Sequence, residues 1–144
     1  MNKFKKVLFY ILSFTWGLPM TLMGLFGGLF LMAKGIKPKR FNNSIYFEVG
    51  SHWGGLEAGM FFFTDTTPSL HTKQHEAGHG IQNIIFGFFM PFVVSIPSAI
   101  RYWYRIYMRK NHPEVALPSY DSIWFEGWAT RLGEKYFPED INNF

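Results

Sequence analysis

The fold turns on His71-Thr72-Lys73-Gln74-His75-Glu76-Ala77-Gly78-His79-Gly80-Ile81-Gln82. At its centre, His75-Glu76-Ala77-Gly78-His79 is an H-E-x-x-H pattern. On a helix, residues i and i+4 lie one above the other, so both imidazoles reach one ion. Glu76 stands at the edge of that face, where it can take a proton from a water on the ion; the pattern supplies two ligands and a general base. Gly78 costs a helix about 1 kcal/mol relative to Ala, which implies a close backbone approach at that point. The helix is predicted over 70–86, after the break Asp65-Thr66-Thr67-Pro68-Ser69, whose polar residues can cap it.

A catalytic zinc takes three protein ligands and keeps one position open. The chain has no cysteine, so the third ligand is His, Asp or Glu. No third His follows at metal-ligand spacing: Gln82 and Ile85 come next, and the next His is His112. The best candidate is Glu126 in Trp124-Phe125-Glu126-Gly127-Trp128-Ala129-Thr130, on a helix predicted over 121–136. A carboxylate among aromatics is costly unless paired or metal-bound; the alternative is a rim carboxylate paired with Arg131. Ala129, one turn on, is small enough to let this helix lie close against the His helix.

Other polar residues have two readings each. Asp121 either accepts a hydrogen bond from a ligand His or caps the second helix. Tyr120 either donates to an oxyanion or packs, and His112 is a weaker candidate for the same donor role. His71 shares the ligand face, four residues before His75. Gln82 either orients a ligand or satisfies backbone. His52 sits in a turn and carries no signal.

Upstream, Ser44–Gly50 and Leu56–Thr64 read as strands, with Gly59 as a bulge. They suggest a β-hairpin or two adjacent antiparallel strands, and residues 38–44 read as a linker. Val7–Ala33 is a 27-residue run without charge, flanked by Lys3, Lys5 and Lys6 and by Lys34, Lys37, Lys39 and Arg40. About 20 residues span a bilayer as helix. The expectation is an uncleaved transmembrane helix over 1–36, kinked at Gly17-Leu18-Pro19. Gly24, Gly27 and Gly28 form a smooth face for another helix. Ile84–Ile100 is a second uncharged stretch, broken by Pro91 and Pro97. Arg101, Arg105 and Arg109 follow at a spacing of four among aromatics, either at a membrane interface or on a solvated face.

The 144 residues are 48% hydrophobic, 20% aromatic and only 17% charged, against about 25% charged in ordinary soluble domains. A disordered chain is excluded, and the length suits one domain. The net charge is +4, but residues 1–40 hold seven cations and no acid, while residues 111–144 hold six acids and two bases. A membrane-facing basic end explains this split better than a nucleic-acid groove, and no nucleic-acid partner is expected.

His75-Glu76-x-x-His79 with a helical glutamate downstream resembles the gluzincin zinc metallopeptidases. A longer match takes in His71-Thr72, Gln82, Phe86-Gly87, Ile96-Pro97-Ser98 and Tyr120-Asp121-x-x-Trp124-Phe125-Glu126-x-Trp128-Ala129-x-x-Leu132-Gly133. It is similar to small uncharacterised bacterial metallopeptidase domains, some at the ends of large repeat-containing secreted proteins. The similarity covers roughly residues 44–137. It implies one zinc ion at His75, His79 and Glu126, with Glu76 as base. The expected protein is α+β, with a zincin-like minimal domain over 37–144 (H-E-x-x-H helix, glutamate helix, small antiparallel hairpin or sheet) behind the anchor. The expected function is a single-pass metalloendopeptidase of the bacterial cell membrane acting on peptide or protein substrate. The Leu56–Phe63 strand is the expected edge for main-chain pairing with substrate. Two other readings are an intramembrane protease with Ile84–Ile100 in the bilayer, and a non-enzymatic membrane-associated protein with a structural metal.

Overall fold

The computed structural model describes residues 1–141, so the last three residues of the 37–144 unit lie outside it. Five helices surround a four-stranded sheet. The helices are α1 (Lys3–Ser13), α2 (Leu18–Ala33), α3 (Leu70–Phe86), α4 (Ile96–Asn111) and α5 (Trp124–Tyr136), and the strands are β1 (Lys39–Phe41), β2 (Ser44–Glu48), β3 (Gly55–Ala58) and β4 (Phe61–Thr64).

The sheet is mixed, in the order β1-β2-β4-β3. The predicted pairing of the two long strands is corrected: β2 and β4 run parallel, and each has its own antiparallel hairpin partner. The predicted linker contributes β1. The predicted strand 56–64 is itself a hairpin, because Gly59 takes a left-handed φ of 69° and turns the chain there. Pleating places Tyr46 and Phe62, stacked 5.0 Å apart, on one face; Phe47 and Phe63 stack at 5.8 Å on the other. The first face packs under α3 and α5 and the second under α2, so aromatic strands buried on both sides replace a half-exposed hairpin.

The 27-residue apolar run does not form one helix. It breaks at residues 14–17, and α1 and α2 meet at 84°. Pro19 starts α2 without an N–H to donate. The bend is pinned from outside: Asn83 on α3 donates to the Gly17 carbonyl and the Trp16 indole donates to the Ile85 carbonyl. Among the described residues no single helix is long and apolar enough to cross a membrane. Nor does residue 36 separate two packing units, since Phe9 of α1 is buried in the same core as Phe41, Phe47, Phe62 and Phe137. The glycine face of α2 receives the sheet rather than a helix: Gly24 lies against Ala58 and Phe61, and Gly28 against Phe47.

α3 matches its predicted span. Ser69 caps it, accepting from the Thr72 N–H. It ends at Gly87, where a left-handed φ of 56° lets Trp16 lie on the backbone. The Ile84–Ile100 stretch then turns through a 3₁₀ turn and a π turn into α4, a bend of 116°. Pro97 sits in the first turn of α4, where its missing N–H costs nothing.

α3 and α5 cross at backbone contact. A Cβ on Gly78 would collide with the Ala129 carbonyl, and one on Gly133 with the Gln74 carbonyl. The approach inferred from Gly78 is thus made, and by the helix that carries Glu126. Gly78→Ala should destabilise the fold by about 1–3 kcal/mol through overpacking, measured by urea denaturation. An exposed control, Gly35→Ala, meets no neighbouring atom and pays only for its left-handed φ.

Candidate metal centre

The i, i+4 spacing on α3 brings His75 and His79 to one face, with their Nε2 atoms 3.2 Å apart. Glu126, in the first turn of α5, is fully buried. Its Oε2 lies 3.1 Å from His75 Nε2 and 2.9 Å from His79 Nε2. These edges are close to the ~3.3 Å that a tetrahedral ion at 2.0–2.1 Å imposes on its ligands. The donor set fits zinc, and a buried His-His-Glu group of this kind could hold a metal ion. The rim pairing of Glu126 with Arg131 is not made.

Each ligand is aimed by a second contact. The Gln82 amide donates to the Phe125 carbonyl at 2.7 Å, which leaves its Oε1 to accept from His79 Nδ1, also at 2.7 Å. Thr130 donates to Asp121 Oδ2 at 3.1 Å and accepts from His75 Nδ1 at 2.9 Å. Both imidazoles therefore turn Nε2 to the common point. Ser98 on α4 donates to Glu126 Oε1. Asp121 makes neither of its two expected contacts: it accepts from Thr130, which in turn accepts from His75, while its own carboxylate stands 4.0 Å from His75 Nδ1, and α5 starts after Ile123 with no side-chain cap. Gln82 does orient a ligand.

Glu76 is buried beside the ligand face. Burial raises its carboxyl above the usual range, against the lowering effect of His75 and His79. Gly55 on β3 makes room for it, since a Cβ there would meet the carboxylate. Tyr120 reaches the same place, its ring 5.9 Å from that of His75. Burial, then the charge of Glu126, holds its phenol protonated as a donor. His71 is half exposed, 4.0 Å from Asp121. His112 is remote, paired with Glu114 on the surface, and His52 occupies a turn.

Four contributors were not found in the sequence. Thr130 lies four residues after Glu126, a spacing that offered a signal. Glu57 on β3 is a lone carboxylate in an apolar strand, the same signal that picked out Glu126. It is buried toward α3, bonds the Gly59 N–H, and is pushed up to about 8 by burial. Ser98 stands in the longer match and Arg101 in the cation stripe, but nothing in the sequence assigns either to the site. Arg101 and Arg105 donate to the carbonyls of Ser119, Tyr120 and Pro118, and their guanidiniums lie over the Tyr120 ring. They fasten the loop that carries Tyr120, a use distinct from a membrane interface or a solvated face.

Burial lowers the His79 pKa, but the hydrogen bond to Glu126 and the charges of Glu76, Glu126 and Glu57 outweigh it and carry it up to about 9. A zinc ion entering the site at neutral pH would have to displace the proton from His79. Apparent zinc affinity should therefore rise about tenfold per pH unit from pH 7 until the pH passes about 9, measured by competition with a chromophoric chelator. Gln82→Leu should weaken zinc binding about 10–100-fold in the same assay with little loss of helix content. No protein-family model matches the chain, and no curated protein or solved structure matches it either.

Proposed function

We propose that this chain is a membrane-associated, zinc-dependent metalloendopeptidase of the gluzincin type. The observation that carries the reading is the triangle of His75, His79 and Glu126 with Glu76 beside it, approached through His75, Glu76 and His79 by two adjoining clefts on one face of α3. A structural metal is enclosed by its ligands, and a catalytic one keeps an approach.

Zinc bound there would lower the pKa of water toward ~7 and polarise a carbonyl. Glu76 takes the proton of the attacking water and passes it to the leaving amine. The C–N bond breaks, the carbonyl carbon gains the hydroxyl, and the nitrogen gains the proton. Burial makes Glu76 a better proton acceptor than a surface carboxylate. Tyr120 is placed to donate to the developing oxyanion. β3, the edge of the sheet, lines the larger cleft and offers its free main chain to an extended peptide.

Membrane association rests on surface chemistry. Phe26, Phe30, Phe92, Ile100 and Trp103 are each more than 60% exposed, on or beside helices with cationic flanks. Burying such side chains in an interface favours binding, and the cations favour anionic lipid.

Glu76→Gln should retain zinc and lose peptide hydrolysis, read by metal analysis beside a fluorogenic peptide assay. Hydrolysis surviving in that variant, or wild-type protein that binds no metal, would refute the peptidase reading. Full-length protein should float with anionic phospholipid vesicles, and Phe26→Glu combined with Phe30→Glu should release it. Unchanged flotation would remove α2 from the bilayer contact.

A further inference from the structure

Two adjoining clefts of different polarity meet at His75, Glu76 and Tyr120. The larger, of about 800 Å³, runs along β3 between α2 and α4, with Met20, Met23, Leu56, Phe63, Ile96 and Trp103 in its walls. The smaller, of about 450 Å³, is bounded by His71, Arg105, Arg109, Ser119 and Asp121. His75, Glu76 and Tyr120 belong to both, so a chain passing the metal has one side in each.

The arginine wall lacks a counter-charge. Arg105 gives Nη1 to the Pro118 carbonyl, and its Nε is buried without a partner. Carbonyl acceptors satisfy a donor but do not cancel its charge. Among the described residues no carboxylate pairs with Arg105 or Arg109. Asp121 and Glu76 also line this cleft, neither of them in an ion pair with Arg105 or Arg109; Asp121 accepts from Thr130 and lies 4.0 Å from His71. From Ile84 to Pro113 the chain has four cations and no acid. An anionic group against this wall would meet guanidiniums that no carboxylate pairs, one of them (Arg105) partly withdrawn from water, a setting in which a charge contact discriminates between ligands.

We propose that the substrate is a peptide whose polarity changes at the cleaved bond, with an apolar stretch in the larger cleft and an acidic residue against Arg105 and Arg109 in the smaller one. This rests on the metallopeptidase reading for hydrolysis, but its recognition step is measurable without it. Such a polarity change occurs where an apolar segment leaves a bilayer for water.

Three equal-length peptides test it: apolar–acidic, apolar–basic and polar–acidic. Binding is measured to full-length Glu76→Gln protein in detergent, with and without zinc, and hydrolysis with the wild type. The apolar–acidic peptide should bind about fivefold or more tightly than either of the others. Arg109→Gln should reduce the acidic preference over the basic peptide, and Arg109→Glu should abolish or invert it. Equal binding of acidic and basic peptides, or an unchanged ratio in Arg109→Glu, overturns the acidic half of the proposal. Equal binding of the apolar–acidic and polar–acidic peptides overturns the apolar half. Hydrolysis without these preferences would leave the peptidase reading standing and remove this one. Preferential binding with no hydrolysis of any peptide would do the reverse.

Discussion

The backbone contact between α3 and α5 is the constraint on which the rest of the structure depends. Gly78 against the Ala129 carbonyl and Gly133 against the Gln74 carbonyl bring the two helices nearer than side chains would allow. Only at that separation does the short carboxylate arm of Glu126 reach both imidazoles at about hydrogen-bond distance. Two glycines that weaken their own helices thus set the geometry of the site. The helix propensity they give up is small beside the burial gained where α3 lies between α5 and the sheet.

The site is a buried cluster of two imidazoles and a carboxylate that could hold a metal ion. Two Nε2 lone pairs and a carboxylate converge, and without metal they hold a proton between His79 and Glu126. Their orientation comes from neutral groups: Thr130, Gln82 and Ser98 each make a hydrogen bond to one of the three and so fix which of its atoms faces the common point. The floor is the edge strand β3, where Gly55 leaves space for Glu76 and Glu57 is buried toward the same helix. Burial that raises both carboxyls also limits the charge the cluster carries before metal arrives.

Around this centre the apolar segments serve as walls and as surface. α2 covers one face of the sheet through its glycines and turns Met23, Phe26 and Phe30 outward. α4 roofs the cleft, and its arginines hold the 118–122 loop that presents Tyr120. Tyr102 ties α4 to the turn before β3 by donating to the Trp53 carbonyl. A chain this greasy can still close a polar site because it keeps its few polar side chains for the ligands and their supports.

The local chemistry was legible in the sequence. The α3 span, its capping, the shared face of His75 and His79, and the suspicion attached to a lone glutamate among aromatics all follow from spacing and from the cost of burying charge. Those are properties of one helix or one residue, and tertiary packing did not alter them. What only the tertiary structure decided concerns partners distant in the chain. The apolar run breaks because Asn83 and Trp16 bond across α1, α2 and α3, a link no window of sequence contains. β2 takes β4 in parallel on one edge while keeping antiparallel β1 on the other, an arrangement that buries its aromatics on both faces. Arg101 and Arg105 of α4 act as clamps because carbonyls of a loop 13 to 19 residues away lie within reach. Periodicity identifies which face of an element is apolar. Which neighbour covers that face depends on the closing of the whole chain.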